Sequence, residues 1–486
     1  MESRSKSTKA LSPGGNSDVV NGNEVRSLNS DDIPVGPADD KGKEQQTAGR
    51  AQILSKDANA SGQFLRSPKE VVSSRAVTVD ASGRRQVIKV RVPATSANIG
   101  PGYDVLGMAV DLWNDLTVSR AKKFQITVEG QGRAEIPTDI EPQTGECKNL
   151  VVKACRRAYQ HMELEMPPLH FRINNRIPFG KGLGSSSAAI VSGLLAGLAL
   201  EDRTASLDNE EELLQLACEI EGHPDNVAPC IYGGMQLGYS ITAAEAKLYD
   251  RRRELSGVSP YKNGPFEDGR FRSRESPVEG QQLFTKVPSP PPALNDGKIW
   301  CTSRVRLPLG LVCVVFTPFH ATETTLARGL LPDVIPRGEA IFNMSRLALL
   351  INALQDDRHD LLRIATQDAL HQDARAAKVH RHLKPVIEAA LAAGAKGCFL
   401  SGAGPSVMAF CSGRQGDVFT QTNRERTEQE VAKAMLKIAD SMGCKGEVLI
   451  TVPVDHGAHV VASDSNLGEK TGLASESRIH YVLNQR

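Results

Sequence analysis

Large apolar residues are sparse over the first 85 positions and then arrive in blocks whose spacing alternates between strand and helix periods. Positions 87–92 mix Val and Ile with Lys89 and Arg91 and predict a strand ending at Pro93. Positions 126–129 and 169–173 predict two more strands, and between them Leu150, Val151, Ala154, Ala158 and Met162 recur at helical spacing. From Ala188 to Leu200 the chain is apolar apart from Ser192, Gly193 and Gly197, which predicts a buried helix. Positions 208–222 predict another, with Asp208 or Asn209 as cap, three glutamates in its first turn and Gly222 as stop. Leu213, Leu216, Ala217 and Ile220 form its apolar stripe. At about 100° per residue, Glu221 falls beside that stripe and Glu219 points away. Farther on, 311–316 is a continuous apolar strand, buried on both faces. Helical patterns follow at 341–354, 361–370 and 383–391, and a late strand at 448–452. His456 and His459, three apart with no third ligand near, read as structural.

Four stretches break the pattern. Residues 1–85 are rich in Ser, Gly, Asn, Asp and Lys and cannot bury enough surface to offset their ordering entropy, so they predict a disordered extension. Residues 243–302 are charged, then Gly-, Pro- and Ser-rich, and predict a disordered insertion or linker. A polar insertion spans 414–426, and a loose tail is expected over 463–486. The folded chain is thus expected as two domains, 86–242 and 303–462.

Composition narrows the function classes. The 58 basic and 57 acidic residues nearly cancel and form no basic stripe, which argues against a nucleic-acid partner. Nine cysteines lie singly, without a C-x-x-C pair, as expected of reduced thiols rather than a zinc site or disulfide framework. The longest apolar run is too short to span a bilayer, so no membrane partner is expected. A cytoplasmic location follows; acids at Asp31, Asp32, Asp39, Asp40 and Glu44 argue against a transit peptide, and plastid import stays open.

The chemistry is concentrated at 177–189. Between positions 180 and 187 three glycines (Gly180, Gly182, Gly184) and three serines (Ser185, Ser186, Ser187) lead directly into the buried helix. Glycine lets backbone approach a ligand closely, a helix N-terminus favours anions, and hydroxyls suit phosphate oxygens or a hard cation. This is a phosphate cradle. It lacks the spacing of the common P-loop, and its third glycine comes one place early for a dinucleotide fingerprint. Glu221, a carboxylate beside a buried face just before a loop, needs a partner.

The stretch from Pro178 through Phe179, Lys181 and Leu183 to Ala188 resembles the P-x-x-x-G-L-G-S-S-A-A motif of the GHMP kinases. Positions 93–107 resemble the P-A-T-S-A-N-x-G-x-G-[FY]-D-x-L-G signature of the homoserine kinase branch. Positions 221–229 resemble its E-G-H-P-D-N-V-A-P, and 324–332 its T-x-x-A-R-x-x-L-P. Positions 368–375 are similar to D-x-L-H-Q-P-Y-R, with Asp373 and Ala374 replacing the Pro-Tyr pair, and 397–407 to the second glycine-rich signature. The resemblance implies an α+β two-domain GHMP kinase fold, with a ribosomal protein S5 domain 2-like N-terminal domain and a ferredoxin-like C-terminal domain. It implies ATP-dependent phosphorylation of the L-homoserine side-chain hydroxyl, a step of threonine biosynthesis. Residues 178–188 would hold ATP, and Ser186 with Glu221 would hold Mg²⁺, Glu219 being the weaker alternative. Asn98, Asp104, His223, Thr324, Arg328, Arg375, Ser401 and Gly402 would face the substrate. Arginine forks suit its carboxylate, Asp104 its ammonium, and Asn98 its hydroxyl. Asp225 is a further site residue, as base or as orienting group. The partner is then a small molecule; the sequence leaves the oligomeric state open, a homodimer included. Another GHMP kinase, of mevalonate or sugar type, and a catalytically silent GHMP sensor are the alternatives.

Overall fold

In the computed structural model, which describes residues 85–201, 210–246, 297–321, 327–412, 427–462 and 481–484, the first strand exceeds its prediction. β1 (Val87–Ala97) runs on through Pro93, because its register with β2 (Leu106–Arg120) shifts between Pro93 and Ala94. A bulge is one of the few places where a sheet accepts a residue without an N–H. β3 (Gln125–Gly130) and β4 (Leu169–Asn175) pair in parallel, with α1 (Leu150–His161) between them. β5 (Met235–Thr242) pairs with β2 and with β6 (Lys298–Val305), and β11 (His459–Ala462) returns to pair with β1. The result is a seven-stranded sheet.

α1, α2 (Ser185–Leu200) and α3 (Glu210–Glu221) follow the expected helical stretches, whereas α4 (Pro224–Tyr232) forms where a loop was expected, its start set by Pro224 in the first turn. Asn149 caps α1, its side chain accepting from the N–H groups of Val151 and Val152. In α2, 13 of 16 residues are buried, as all-round apolarity requires. α1 can approach it because Gly193 and Gly197 carry no side chain. A Cβ at Gly193 would lie 2.3 Å from the Val151 carbonyl oxygen, and one at Gly197 2.9 Å from the Ala158 Cβ.

The second sheet has five strands in the order β12-β10-β7-β9-β8, where β7 is Val312–Pro318, β8 Gly397–Leu400, β9 Val407–Cys411, β10 Gly446–Thr451 and β12 Tyr481–Asn484. Without β12 the order is fourth, first, third, second along this half of the chain, all antiparallel. With helices in the two crossovers, that is the ferredoxin-like arrangement. Those helices include α5 (Arg337–Gln355), α6 (Leu362–Ala365), α7 (Gln372–Lys378), α8 (Leu383–Ala392) and α9 (Thr427–Ser441). The fold is the two-domain α+β fold expected.

Three further expectations need correction. The stretch 243–302 ends inside the first sheet, since β6 begins at Lys298 with a Lys-Ile-Trp-Cys alternation that pairs residue by residue with β5. The tail expected to be loose from 463 contains β12, which pairs with the edge of β10. The helix expected over 361–370 is broken. The Asp368 carboxylate accepts from the N–H groups of Leu370, His371 and Gln372, which turns the chain and starts α7 afresh. Residues 1–84, 247–296 and 413–426 lie outside the described residues. His456 and His459 pack on Trp113, at ring separations of 5.1 and 5.6 Å.

The α1–α2 contact gives a paired test. Gly193→Ala should destabilise by about 1–3 kcal/mol through overpacking, although alanine is the better helix former by about 1 kcal/mol. Gly338→Ala, in the first turn of α5 with nothing within 4 Å of the added carbon, should leave stability unchanged or raise it. Thermal melts of the two variants give the comparison.

Candidate active site

Gly180, Gly182 and Gly184 all take positive φ (65°, 77° and 71°). Gly184 ends the loop in the left-handed region and caps α2 without a side-chain hydrogen bond, so no capping side chain occupies the first N–H groups of this largely buried helix. A side chain at Gly184 could not fit, because its Cβ would fall 1.9 Å from Thr95 Oγ1. Thr95 ties β1 to the loop by donating its N–H to the Leu183 carbonyl (3.2 Å) and its hydroxyl to Asn226 Oδ1 (2.8 Å). The Lys181 ammonium donates to the Phe319 carbonyl in the other half of the molecule.

Beside the helix start, Ser186 and Ser187 donate their hydroxyls to the same oxygen of Glu221, at 2.9 and 2.8 Å. Glu219 instead lies exposed and pairs with Arg157 at 2.7 Å. The wheel's distinction between the two glutamates is therefore realised in space. One carboxylate and two hydroxyls form an all-oxygen donor set that suits a hard divalent cation.

The loop between β1 and β2 carries Asn98, Ile99 and Asp104 at positive φ (68°, 38° and 57°). That conformation is uncommon outside glycine and most unfavourable for a β-branched residue, and such residues cluster at functional sites. Asn98 holds the loop: its Oδ1 accepts the Asp104 N–H at 3.0 Å and its Nδ2 donates to the Gly402 carbonyl at 2.8 Å. Asp104 forms a two-pronged pair with Arg328, at 2.7 and 3.0 Å. Arg375 is only 2% exposed. It donates to the carbonyls of Ala327 and Gly402 and to His371 Nδ1, all within 3.2 Å, and burial pulls its pKa below the usual arginine value. Among the described residues no carboxylate pairs with it. Both guanidiniums lie over the Tyr103 ring, at 5.7 and 5.4 Å.

Asp225, 2% exposed in the first turn of α4, accepts from His223 Nδ1 and from Asn226 Nδ2 on one oxygen, Oδ1. Burial alone would lower the His223 pKa, but the hydrogen bond and charge of Asp225, with Glu221 and Asp104, hold it above the ordinary value. His223 thus feels the charge of Glu221 in the serine–glutamate group as well as that of Asp104 in the Asp104–Arg328 pair.

Ser401 and Gly402 occupy a turn that bridges the halves. Ser401 Oγ donates to the Gly182 carbonyl (2.6 Å) and lies 2.9 Å from Ser96 Oγ, while the Gly402 N–H donates to Ala97 (3.0 Å). Their polar groups are thus engaged within the protein. Thr324 lies outside the described residues. Tyr103 and His371 were not among the expected site residues. His371 is fully buried, with Nε2 donating to the Gly100 carbonyl and Nδ1 accepting from Arg375. Both sit inside the motifs that name Asp104 and Arg375, which was the available signal.

Residues 149–234 match the model of the GHMP kinases N terminal domain, and 347–440 that of the GHMP kinases C terminal. A homoserine kinase of Desulfitobacterium hafniense is 33% identical over 359 residues, covering 74% of this chain and 99% of the relative. One from Clavibacter michiganensis subsp. michiganensis is 37% identical over 337 residues, covering 68% and 84%. The solved homoserine kinase of Cytophaga hutchinsonii, 24% identical, superposes with a TM-score of 0.56 over 79% of this chain and 100% of its own, which speaks to the fold. Among the described residues no helix is long and apolar enough to cross a membrane. Since both halves match their family models and the first of these relatives aligns over nearly its whole length, the chain belongs to the homoserine kinase family of the GHMP kinases.

Proposed function

We propose that this chain transfers the γ-phosphoryl group of ATP to the side-chain hydroxyl of homoserine. The observation that carries the substrate half of this reading is the charge pattern around Tyr103. A two-pronged Asp104–Arg328 pair sits beside a buried arginine that, among the described residues, has no carboxylate of its own. A zwitterion can exchange that pair for two others, its ammonium on Asp104 and its carboxylate on Arg328 and Arg375, without stranding any charge. A mevalonate or sugar substrate lacks the ammonium that could take the place of Arg328 on Asp104. A silent sensor would have no use for the Ser186–Ser187–Glu221 group.

Phosphoryl transfer is mostly positioning and charge stabilisation. The N–H groups at the start of α2 and the backbone of 178–188 would hold the ATP phosphates. Ser186 and Glu221, with Ser187 adjacent, fit Mg²⁺, which when bound supplies charge neutralisation at phosphate oxygens. Among the described residues Asp225 Oδ2 takes no hydrogen bond, so it can accept from the substrate hydroxyl while His223 and Asn226 fix Oδ1. Asn98 keeps one amide hydrogen for the same region. Ser401 and Gly402 act by holding the two halves together.

A coupled ADP-release assay over homoserine, serine, threonine, mevalonate and galactose should give turnover with homoserine well above the others; preference for mevalonate or galactose rejects the reading. In the same assay Glu221→Gln should lose about 10–100-fold activity and recover partly at raised Mg²⁺. Glu219→Gln, which removes only a surface pair, should stay within about two-fold. Equal losses would remove Glu221 from the metal site.

Arg328→Ala should lower kcat/KM for homoserine by roughly thirty-fold, the low end of about 2–5 kcal/mol for breaking a charged pair, since this side chain is 42% exposed. ATP affinity measured alone should barely move, and lysine should restore little of the loss because a point charge cannot fork. An unchanged homoserine KM would place Arg328 outside the substrate site.

A further inference from the structure

The segment after Arg375 carries two more side chains to the turn at 401–406. His380 Nε2 donates to the Ala403 carbonyl and His382 Nε2 to the Pro405 carbonyl, both at 2.9 Å. A carbonyl oxygen can only accept, so each ring carries its proton on Nε2. Together with Arg375 on Gly402 at 3.2 Å, three side chains from one short segment hold three carbonyls of one turn. Both histidines are buried. Gly404 has φ +88°, and a Cβ there would lie 2.3 Å from His380 Nε2, so the His380 ring fills the place a side chain at 404 would take. The opposite side of the turn touches the phosphate loop through Ser401 on Gly182 (2.6 Å) and the Ser406 N–H on the Lys181 carbonyl (3.2 Å).

The rings are also kept uncharged. His380 Nδ1 is buried with no hydrogen-bond partner among the described residues, so a second proton would be an unsatisfied buried donor. The groups facing His380 are Arg375 and His382 on its own segment and His320 after β7. The rings of His382 and His320 are 5.9 Å apart, as are those of His380 and His382, and the Phe316 ring meets the edge of His382. Burial, opposed only in part by the Ala403 hydrogen bond and reinforced by His382 and Arg375, lowers the His380 pKa to about 4. Burial also lowers that of His382.

We propose that His380 and His382 are positioning residues for phosphoryl transfer, whose neutral imidazoles hold the Ala403 and Pro405 carbonyls and so seat the glycine turn against the phosphate loop. This rests on the kinase reading above. Because His380 titrates below the unfolded histidine value, its contribution is complete above about pH 6.5. It is lost as pH falls toward about 4.

Two measurements test it. The first needs no turnover: nitrogen-15 NMR of the imidazoles in the intact protein should show two histidines held as the neutral Nε2–H tautomer from about pH 6 to 8. If either ring is protonated in that range, or carries its proton on Nδ1, the proposal is overturned. The second is steady-state kinetics on folded variants, with whichever acceptor the wild-type protein phosphorylates best, so a wrong substrate assignment does not disturb it. His380→Leu and His382→Leu should each lose about ten- to hundred-fold in kcat through misplacement of the turn. His380→Gln, which can present an N–H near the same point, should stay within about three-fold of wild type. A merely structural role would lower the melting temperature but leave kcat and both KM values of the folded variants unchanged, and that result rejects the proposal. So does a glutamine variant as impaired as the leucine one.

Discussion

Gly182 and Ser401 approach so closely that a methyl group on residue 182 would lie 2.2 Å from the Ser401 carbonyl oxygen. Backbone meets backbone across the two halves, and the Ser401 hydroxyl closes the contact on the Gly182 carbonyl. The site depends on this seam. On one side it fixes the loop whose glycines open the N-terminus of α2. On the other, the Gly402 carbonyl accepts from both Asn98 and Arg375, so the groups proposed to face the acceptor are referred to the same turn as the phosphate loop. Any larger residue at 182 would push the halves apart and misalign both partners at once.

Electrostatics at the site run against stability. A buried arginine without a carboxylate is expensive to hold, and among the described residues Arg375 is kept by backbone carbonyls, a neutral histidine and the Tyr103 face. Asp225, also buried, is held by His223 and Asn226. Strained backbone at Asn98, Ile99 and Asp104 adds to the burden. These features cost stability, and for Arg375 that cost is offset if a substrate carboxylate pairs with it as proposed. The buried helix α2 and the sheet behind it provide the rigidity that keeps such groups in place.

How much of this was legible in the sequence varies with the range of the interaction. The cradle at 180–187, the buried helix after it and the helix face that carries Glu221 rather than Glu219 are matters of residue type and helical period within a turn or two. Periodicity reports those directly. The strand through Pro93 was less legible, because the bulge that admits the proline is a property of its pairing with β2. Likewise, the break at Asp368 depends on one carboxylate capturing three N–H groups, which an apolar pattern extending over 361–370 does not register.

By itself, then, the chain determined where most of its helices and the phosphate loop lie and, through its motifs, which side chains belong near one another. Only tertiary structure decided what those side chains do to each other. It paired Asp104 with Arg328, two residues separated by 224 positions, and among the described residues left Arg375 without an anion. It engaged Ser401 and Gly402 as the bridge between the halves, and it brought His380 and His382 onto the turn from behind. It also carried the strands at 298–305 and 459–462 back into the first sheet. The physical reason is that hydrophobic spacing encodes which face of an element is buried. Which partner meets that face, and which charges are thereby shut away from water, is set by packing between segments far apart in the chain.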